Sequence, residues 1–247
     1  MFLAMSAGET MLKNGAETYR VEDTMNRLCN SRKNIYNVDS FVTHTGIFLT
    51  LEYELEVFTQ FKRVRTASNN LQRVSLINDF SRKYVSTNLS LDEGIEIINK
   101  INKMNDYSKL IKLVCGSSAS GFFSLMFGGD LFDFISSFLA SILALIAIEF
   151  LSSHNLSFFL DSFVGALLAS VFSYITLKIG FSNNVDIVII GSIMCLVPGV
   201  SITNSIRDTM SGDSLSGLSK GMEAIFSALA IAFGVGIILN LHMKGLI

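Results

Sequence analysis

Charge is scarce in the second half of this 247-residue chain. Residues 110–247 hold five Lys and Arg and eight Asp and Glu, against 14 and 13 in residues 1–109. So few charges cannot cover a water-facing surface, which excludes an ordinary soluble domain there. Over the whole chain 16% of residues are charged, where soluble domains average about 25%. A net charge of −2 excludes a nucleic-acid partner, since phosphate binding needs clustered Lys and Arg. Cys29, Cys115 and Cys195 lie far apart with no CxxC pair, which excludes a disulfide framework or a zinc site and leaves buried free thiols as the expectation. Tryptophan is absent and proline occurs once; neither fact alone decides a class. Met1-Phe2-Leu3-Ala4-Met5 lacks the basic region of a signal peptide and is too short for its apolar core. There is no Walker lysine motif, GxSxG or HExxH, and His44, His154 and His242 are scattered. The sequence therefore calls for no metal and no cofactor.

What is present divides into residues 1–109 and 110–247. In the first part, Leu12, Ala16 and Tyr19, then Val21, Met25 and Leu28, fall at helical spacing, with a break near Gly15. From Leu49 to Val57 apolar residues alternate with Thr or Glu, the period of a half-buried strand or hairpin, and Gly46 marks a bend or bulge before it. No Asn-Gly turn fixes the number of strands between 35 and 64. Leu71, Val74, Ile77 and Tyr84 predict a further helix. Ser90 and Glu93 form a capping box opening another, with Leu91, Ile95, Ile98 and Ile101 on one face. This order predicts a small α+β domain.

Five apolar segments follow, near 110–128, 131–151, 156–178, 185–205 and 217–241, each about the 20 residues that cross roughly 30 Å of hydrocarbon. The connectors are short and polar. The expected fold is thus an α-helical integral membrane protein with five transmembrane helices, preceded by a small α+β cytoplasmic domain. The basic excess of residues 1–109 places that domain inside, in a multi-pass protein of the plasma membrane. Arg207 and Lys220 flank a loop on the same side, while Lys178 and Lys244 fall outside. Small residues four apart, Gly116 with Ser120, Ser117 with Gly121, and Ala228, Ala232 and Gly236, predict close helix packing. Lys112, Asp133, Glu149, Asp161 and Asp186 sit near span ends, where interfacial placement is expected.

The fourth span differs from the others. It holds the lone proline in Leu196-Val197-Pro198-Gly199, which removes a helical hydrogen bond and adds backbone freedom at the next residue. Ser201, Thr203, Asn204, Arg207 and Asp208 follow. A broken transmembrane helix with polar residues beyond the break is either a simple kink or a substrate site, at which free N–H groups near Gly199 receive a carboxylate. In the front domain, Glu17, Arg20, Glu22 and Asp23 are either a solvated helix face or a hydrolase site.

Three stretches carry a resemblance: Gly8-Glu9 through Asn14-Gly15-Ala16-Glu17-Thr18-Tyr19-Arg20-Val21-Glu22-Asp23; Ser40-Phe41-Val42-Thr43; and Leu196-Val197-Pro198-Gly199 onward through Asn204-Ser205-Ile206-Arg207-Asp208 and Gly212-Asp213 to Gly217. In that order they resemble the threonine/serine exporter family, in its front domain and first five-span half. The resemblance implies a separate five-span membrane subunit as partner, as in split versions that export small dicarboxylates. It implies a subunit of a secondary exporter for a small carboxylate-bearing metabolite, threonine, serine or a short dicarboxylate, working in the lipid bilayer as a hetero-oligomer or homo-oligomer. Pro198, Gly199, Ser201, Thr203, Asn204, Arg207 and Asp208 then bind substrate or gate. Asn14, Gly15, Ala16, Glu17, Thr18, Arg20, Glu22 and Asp23 form a motif that gates the path or docks the partner. A membrane-anchored hydrolase-like enzyme with its site in residues 1–109 is the alternative, and a non-transporting scaffold is the third.

Overall fold

The computed structural model describes residues 1–64, 68–87, 89–152 and 157–245. His154 and the connector around it lie outside them. The chain forms two compact units, one of Met1–Asn105 with Val200–Met222, the other of Asp106–Gly199 with Glu223–Ile247. The first unit thus takes in a piece of chain from beyond the proline.

Helices α1 (Phe2–Lys13) and α2 (Thr18–Asn30) open the first unit, and strands β1 (Ile35–Thr43), β2 (Gly46–Tyr53) and β3 (Glu56–Arg63) follow. The strands make an antiparallel meander in the order β1-β2-β3. Gly46 begins β2, opposite Thr43, rather than marking a bulge. The alternating stretch from Leu49 folds back at Glu54-Leu55, which leaves Tyr53 opposite Glu56. Both turn residues have left-handed backbones, φ 50° and 67°, as a two-residue hairpin turn requires. Neither is a glycine or asparagine. One face of the sheet gives Val42, Ile47, Leu49 and Leu51 to the core. The other carries Phe41, Phe48 and Phe61 in cross-strand register.

Helices α3 (Leu71–Ser86) and α4 (Leu91–Lys103) cover the core, with Val74, Ile77, Tyr84, Ile98 and Ile101 buried. Leu71 and Leu91, one turn earlier on each predicted stripe, stay exposed at the helix starts. Both halves of the capping box form: Ser90 Oγ accepts from the Glu93 N–H at 3.2 Å and a Glu93 carboxylate oxygen accepts from the Ser90 N–H at 2.8 Å.

The second unit contains α5 (Lys109–Met126), α6 (Leu131–Ser152), α7 (Phe158–Lys178) and α8 (Val185–Ile193), the last running into a 3-10 turn at Met194–Leu196. After the break, α9 (Gly199–Met210) and α10 (Ser214–Met243) complete the chain. Among the described residues three helices, α6, α7 and α10, are long and apolar enough to cross a membrane; the interrupted pair α8 and α9 makes a fourth if it counts as one span. Five continuous spans are not what these lengths and compositions give. Helix α5 carries Lys109 and Lys112 and a run of Gly and Ser, and the predicted span at 185–205 is cut at Val197-Pro198.

Polarity in this unit is inverted relative to a water-soluble core. Ser117, Ser120, Ser124, Ser136, Ser137, Ser141, Ser170 and Ser173 are fully buried, while Phe122, Leu139, Leu143, Ile146 and Ile175 are exposed. Small polar residues let backbones approach and exchange hydrogen bonds where lipid tails offer no hydrophobic drive. The α5 pairs behave as predicted, with Ser117, Ser120 and Gly121 buried. On α10 the packed face is instead Ala224, Ser227, Ala230 and Ile238; Ala228, Ala232 and Gly236 are exposed. The packed face steps by three residues from Ala224 to Ala230 and the predicted stripe by four, and both spacings are helical, so spacing alone could not choose between them. Of the thiols only Cys29 is buried; Cys115 is exposed and Cys195 half-buried, a correction explained by the indifference of a small apolar side chain to whether it faces protein or lipid.

Asp133, near the start of α6, is fully buried within the protein. One of its oxygens accepts from the backbone N–H groups of Asn183 at 3.1 Å and Asn184 at 3.3 Å. The other accepts from the Asn184 amide and the Asp130 N–H, each at 3.2 Å.

Candidate functional site

Helix α1 stops at Lys13, and Asn14 turns its side chain back so that Nδ2 donates to the Thr10 carbonyl at 2.6 Å. Gly15 follows at φ +88°, and a Cβ there would lie 2.9 Å from Asn69 Oδ1. Both the left-handed backbone and the close neighbour require glycine. Ala16 and Glu17 lead into α2, whose N-cap residue Glu17 makes no side-chain capping bond. The first N–H groups of α2 are therefore left for partners from elsewhere.

Those partners come from the far end of the sequence. The Thr18 N–H donates to Asp208 Oδ1 at 3.0 Å, and the Thr18 hydroxyl donates to Asp213 Oδ2 at 3.0 Å. Two carboxylates thus sit at the positive end of the α2 dipole. Asp208 has no solvent exposure, and its other oxygen accepts from Lys220 Nζ at 2.9 Å. Lys220 is itself 5% exposed and also donates to the Ala16 carbonyl at 3.3 Å. One turn before Asp208 on the same face of α9, Asn204 Nδ2 donates to the Gly15 carbonyl at 2.9 Å. Arg207 Nη1 reaches Glu17 Oε1 at 2.5 Å, while Arg20 Nε holds Glu17 Oε2 at 3.0 Å. Gly217 lets the start of α10 lie against α9: a Cβ there would come 2.9 Å from the Ser205 carbonyl.

Burial pushes the Glu17 carboxyl up, but its own backbone N–H, Arg207 and Arg20 outweigh that, and its pKa falls below the ordinary value. Glu22 goes the other way. Burial raises it, the Val42 N–H opposes, and Asp213, Asp39 and Asp208 add repulsion. A raised folded-state pKa contributes stability below about pH 4.5 and loses it as pH rises through the folded value. At neutral pH the Glu22 carboxylate is thus a cost. Glu22→Gln keeps Oε1 as acceptor for the Val42 N–H, at 2.7 Å, and removes the charge. Melting curves of the purified variant should rise by a few degrees at pH 7 and converge on wild type near pH 4. A lower melting point at pH 7 would show that the charge itself is needed.

The network draws together Gly15, Ala16, Glu17, Thr18 and Arg20 from one predicted set and Asn204, Arg207 and Asp208 from the other. Asn14 flanks it and Glu22 faces its acidic end. Asp23 instead pairs with Arg27 on the surface of α2. Pro198 stands at the break, Ser201 is half-buried and Thr203 exposed. The Gly199 N–H donates to the Val197 carbonyl at 2.8 Å, so this particular donor is occupied. Two further residues join the network, Asp213 and Lys220. Asp213 figured only in the resemblance, and Lys220 only as an orientation charge. A signal existed, for Lys220 is the sole lysine between Lys178 and Lys244 and lies just past the Gly212 turn from Asp208. Among the described residues no group of three His, Cys, Asp or Glu is placed to hold a metal ion.

Residues 3–242 match the family profile described as "Putative threonine/serine exporter". A protein of Escherichia coli (strain K12) named "Probable succinate transporter subunit YjjP" is 26% identical over 99% of this chain and 94% of its own length. Its namesake in Klebsiella aerogenes is 25% identical, over 96% and 90%. An uncharacterized protein of Schizosaccharomyces pombe is 21% identical over 70% of this chain but only 22% of its own length. No solved structure matches.

Proposed function

Because the chain belongs to the threonine/serine exporter family, and its apolar helices make it a multi-pass membrane protein, we propose that it is one subunit of a secondary exporter for a small carboxylate-bearing metabolite. It works with a second, five-span membrane subunit. The observation that carries this reading is the broken pair α8 and α9, whose second member is polar and tied by Asn204, Arg207 and Asp208 to the Gly15–Thr18 turn. A mere anchor has no use for an interrupted helix tethered in this way. The succinate transporter subunits named above, similar over nearly their whole length, favour a short dicarboxylate over threonine or serine.

In this reading α5 is the fifth crossing segment and the front domain is cytoplasmic. Substrate carboxylate is received along the first turn of α9, just past Pro198 and Gly199, by backbone N–H groups favoured by the helix dipole. Ser201 and Thr203 bond the polar remainder. Arg207 supplies positive charge by leaving Glu17, so the Glu17–Arg207 contact is the latch that substrate competes with.

The test is reconstitution in liposomes, alone and with the five-span partner, following efflux of labelled succinate, threonine and serine. Flux of succinate only in the paired sample is the expected result, falling at least tenfold in Pro198→Ala with Gly199→Leu. Undiminished transport by that folded variant would sink the broken-helix site. Absence of flux from every correctly oriented sample would sink the exporter reading.

A further inference from the structure

The sheet of the first unit has one covered edge and one bare edge. Strand β1 is irregular between Tyr36 and Asp39, and its Val42 N–H donates to Glu22 of α2 at 2.7 Å. Among the described residues β3 pairs with β2 alone, and its Val57, Phe58 and Phe61 are 69%, 43% and 54% exposed. An open strand edge is a template for another strand, and proteins ordinarily blunt it.

Strand alternation decides which backbone groups this edge offers. The Val64 N–H donates to the Thr45 carbonyl at 2.8 Å, so Val64 bonds toward β2. The β2–β3 register runs unshifted from Gly46 opposite Arg63 to Tyr53 opposite Glu56. Every second residue back from Val64 therefore bonds the same way, namely Lys62, Gln60, Phe58 and Glu56. Arg63, Phe61, Thr59 and Val57 turn their N–H and C=O groups outward.

The side chains narrow the choice of strand that fits. Lys62, Gln60 and Phe58 stand opposite Ile47, Leu49 and Leu51 of the buried face, and Phe61 stands opposite Phe48 on the bare face. Two copies of β3 meeting antiparallel are related by a two-fold axis normal to the sheet, so each face continues into the same face of the second copy. Centred on Thr59, such a pairing sets Glu56 opposite Lys62, Val57 opposite Phe61, Phe58 opposite Gln60, and Thr59 opposite itself. Opposite charges, a β-branched residue against an aromatic, and paired threonines are favourable cross-strand combinations. Val57, Thr59 and Phe61 fall where each pair exchanges two backbone bonds, and Glu56 and Lys62 fall between, where side chains approach most closely. Centred instead on Gln60, Arg63 faces Val57 and Lys62 faces Phe58; centred on Phe58, Phe61 and Lys62 overhang. Lys62 already holds Glu9 at 2.5 Å, but an ammonium has three donors, so Glu56 of a second copy joins that pair without breaking it. A charge on the covered face ordinarily deters an incoming strand; here it selects one with a carboxylate at the matching place.

We infer that the β3 edge is an interface for a second copy of this chain, the two strands pairing antiparallel about Thr59 into one continuous sheet. The aromatic row of Phe41, Phe48 and Phe61, with centroids 6.1 and 4.5 Å apart, then ends on Val57 of the second copy instead of in water. This interface does not depend on the exporter reading, and the presence or absence of succinate flux leaves its test unchanged.

Disulfide cross-linking of the full-length protein in isolated membranes tests the register, in a background with Cys29, Cys115 and Cys195 replaced by alanine. Glu56→Cys and Lys62→Cys are placed on separately tagged copies and co-expressed. On oxidation a disulfide between the two tags is expected, at least tenfold above that of Glu56→Cys with Arg63→Cys, which lie on opposite faces. Thr59→Lys and Thr59→Asp, both at an exposed position, each set like charges opposite one another at the axis. Each alone should raise the dimer dissociation constant in detergent at least tenfold, and the two co-expressed should pair with each other as tightly as wild type. A cross-link no stronger than the Arg63→Cys control, in proteins that elute as wild type, would overturn the inference. So would undiminished dimerisation of Thr59→Lys and of Thr59→Asp. A cross-link that vanishes when the five-span subunit is co-expressed would give the edge to that subunit and overturn the second copy as its occupant.

Discussion

Lys220→Met is expected to loosen the front unit more than any other single change to the network. The methionine fills the same space but leaves Asp208, with no solvent exposure, without its cation and the Ala16 carbonyl without its donor. Breaking a buried pair from one side costs about 3–5 kcal/mol, because the remaining charge is stranded away from water. For a unit of this size that corresponds to roughly 10 °C in melting temperature. The pair as a whole contributes much less, since both ions were desolvated to make it. Adding Asp208→Asn to Lys220→Met removes the stranded charge while keeping an oxygen for the Thr18 N–H at the α2 start. The double variant should recover more than half of the lost stability in thermal melts and in limited proteolysis of the α9–α10 connection. Equal losses in the single and double variants would mean that packing, not charge, dominates at this position. With the fold restored, transport by the double variant then asks a separate question, whether the pair serves the latch. A buried ion pair that adds little net stability but fixes one arrangement suits an element that must hold and then release.

This network was the part of the molecule least legible in the sequence, for a physical reason. Thr18 and Asp208 are 190 positions apart, and no local pattern announces that an α2 start without its own cap will be capped by a distant carboxylate. The capping box at Ser90 was legible because both of its bonds close within three residues. The interruption at Pro198 was legible because a missing N–H acts where it stands. The two predicted residue sets meet only in part: Asn204, Arg207 and Asp208 of one join the Gly15–Arg20 turn of the other, a partnership with no local signature, while Asp23, Ser201 and Thr203 stay outside it. The Glu54-Leu55 turn failed for the opposite reason. Its left-handed backbones are held by the pairing of β2 with β3, against the intrinsic preference of both residues. The α10 stripe shows the limit of periodicity, since both faces have helical spacing and only packing chooses one. Helix α5 sits at the boundary of the membrane criterion because its buried face is built from serine and glycine, which lowers hydropathy while improving helix contact.

Asp133→Ala is expected to produce the second large loss, in the membrane unit. The carboxylate closes a reciprocal pair at the α6 start, where Asp130 Oδ1 accepts from the Asp133 N–H at 2.9 Å and Asp133 returns the bond to the Asp130 N–H. It also anchors the residues that precede α8 through both backbone N–H groups of Asn183 and Asn184. Truncation removes the acceptor of all three donors, which sit on solvent-exposed residues, so the loss is that of bonds to a charged group, about 1.5–3 kcal/mol each before water replaces any of them. Because α8 packs against α5, α6 and α7, losing its lead-in also loosens the helix that runs into the break at Pro198. Asp133→Asn separates geometry from charge: its oxygen still accepts from the two backbone donors, but the bonds are no longer charge-assisted, which roughly halves their strength. The ordering wild type, Asn, Ala should therefore appear in detergent melts, spaced by several degrees at each step. If the alanine variant melts with wild type, the carboxylate is a solvated cap and the anchoring of α8 lies in apolar packing. If the asparagine variant is as damaged as alanine, the negative charge itself holds the segment, and the positive end of the α6 dipole is its partner.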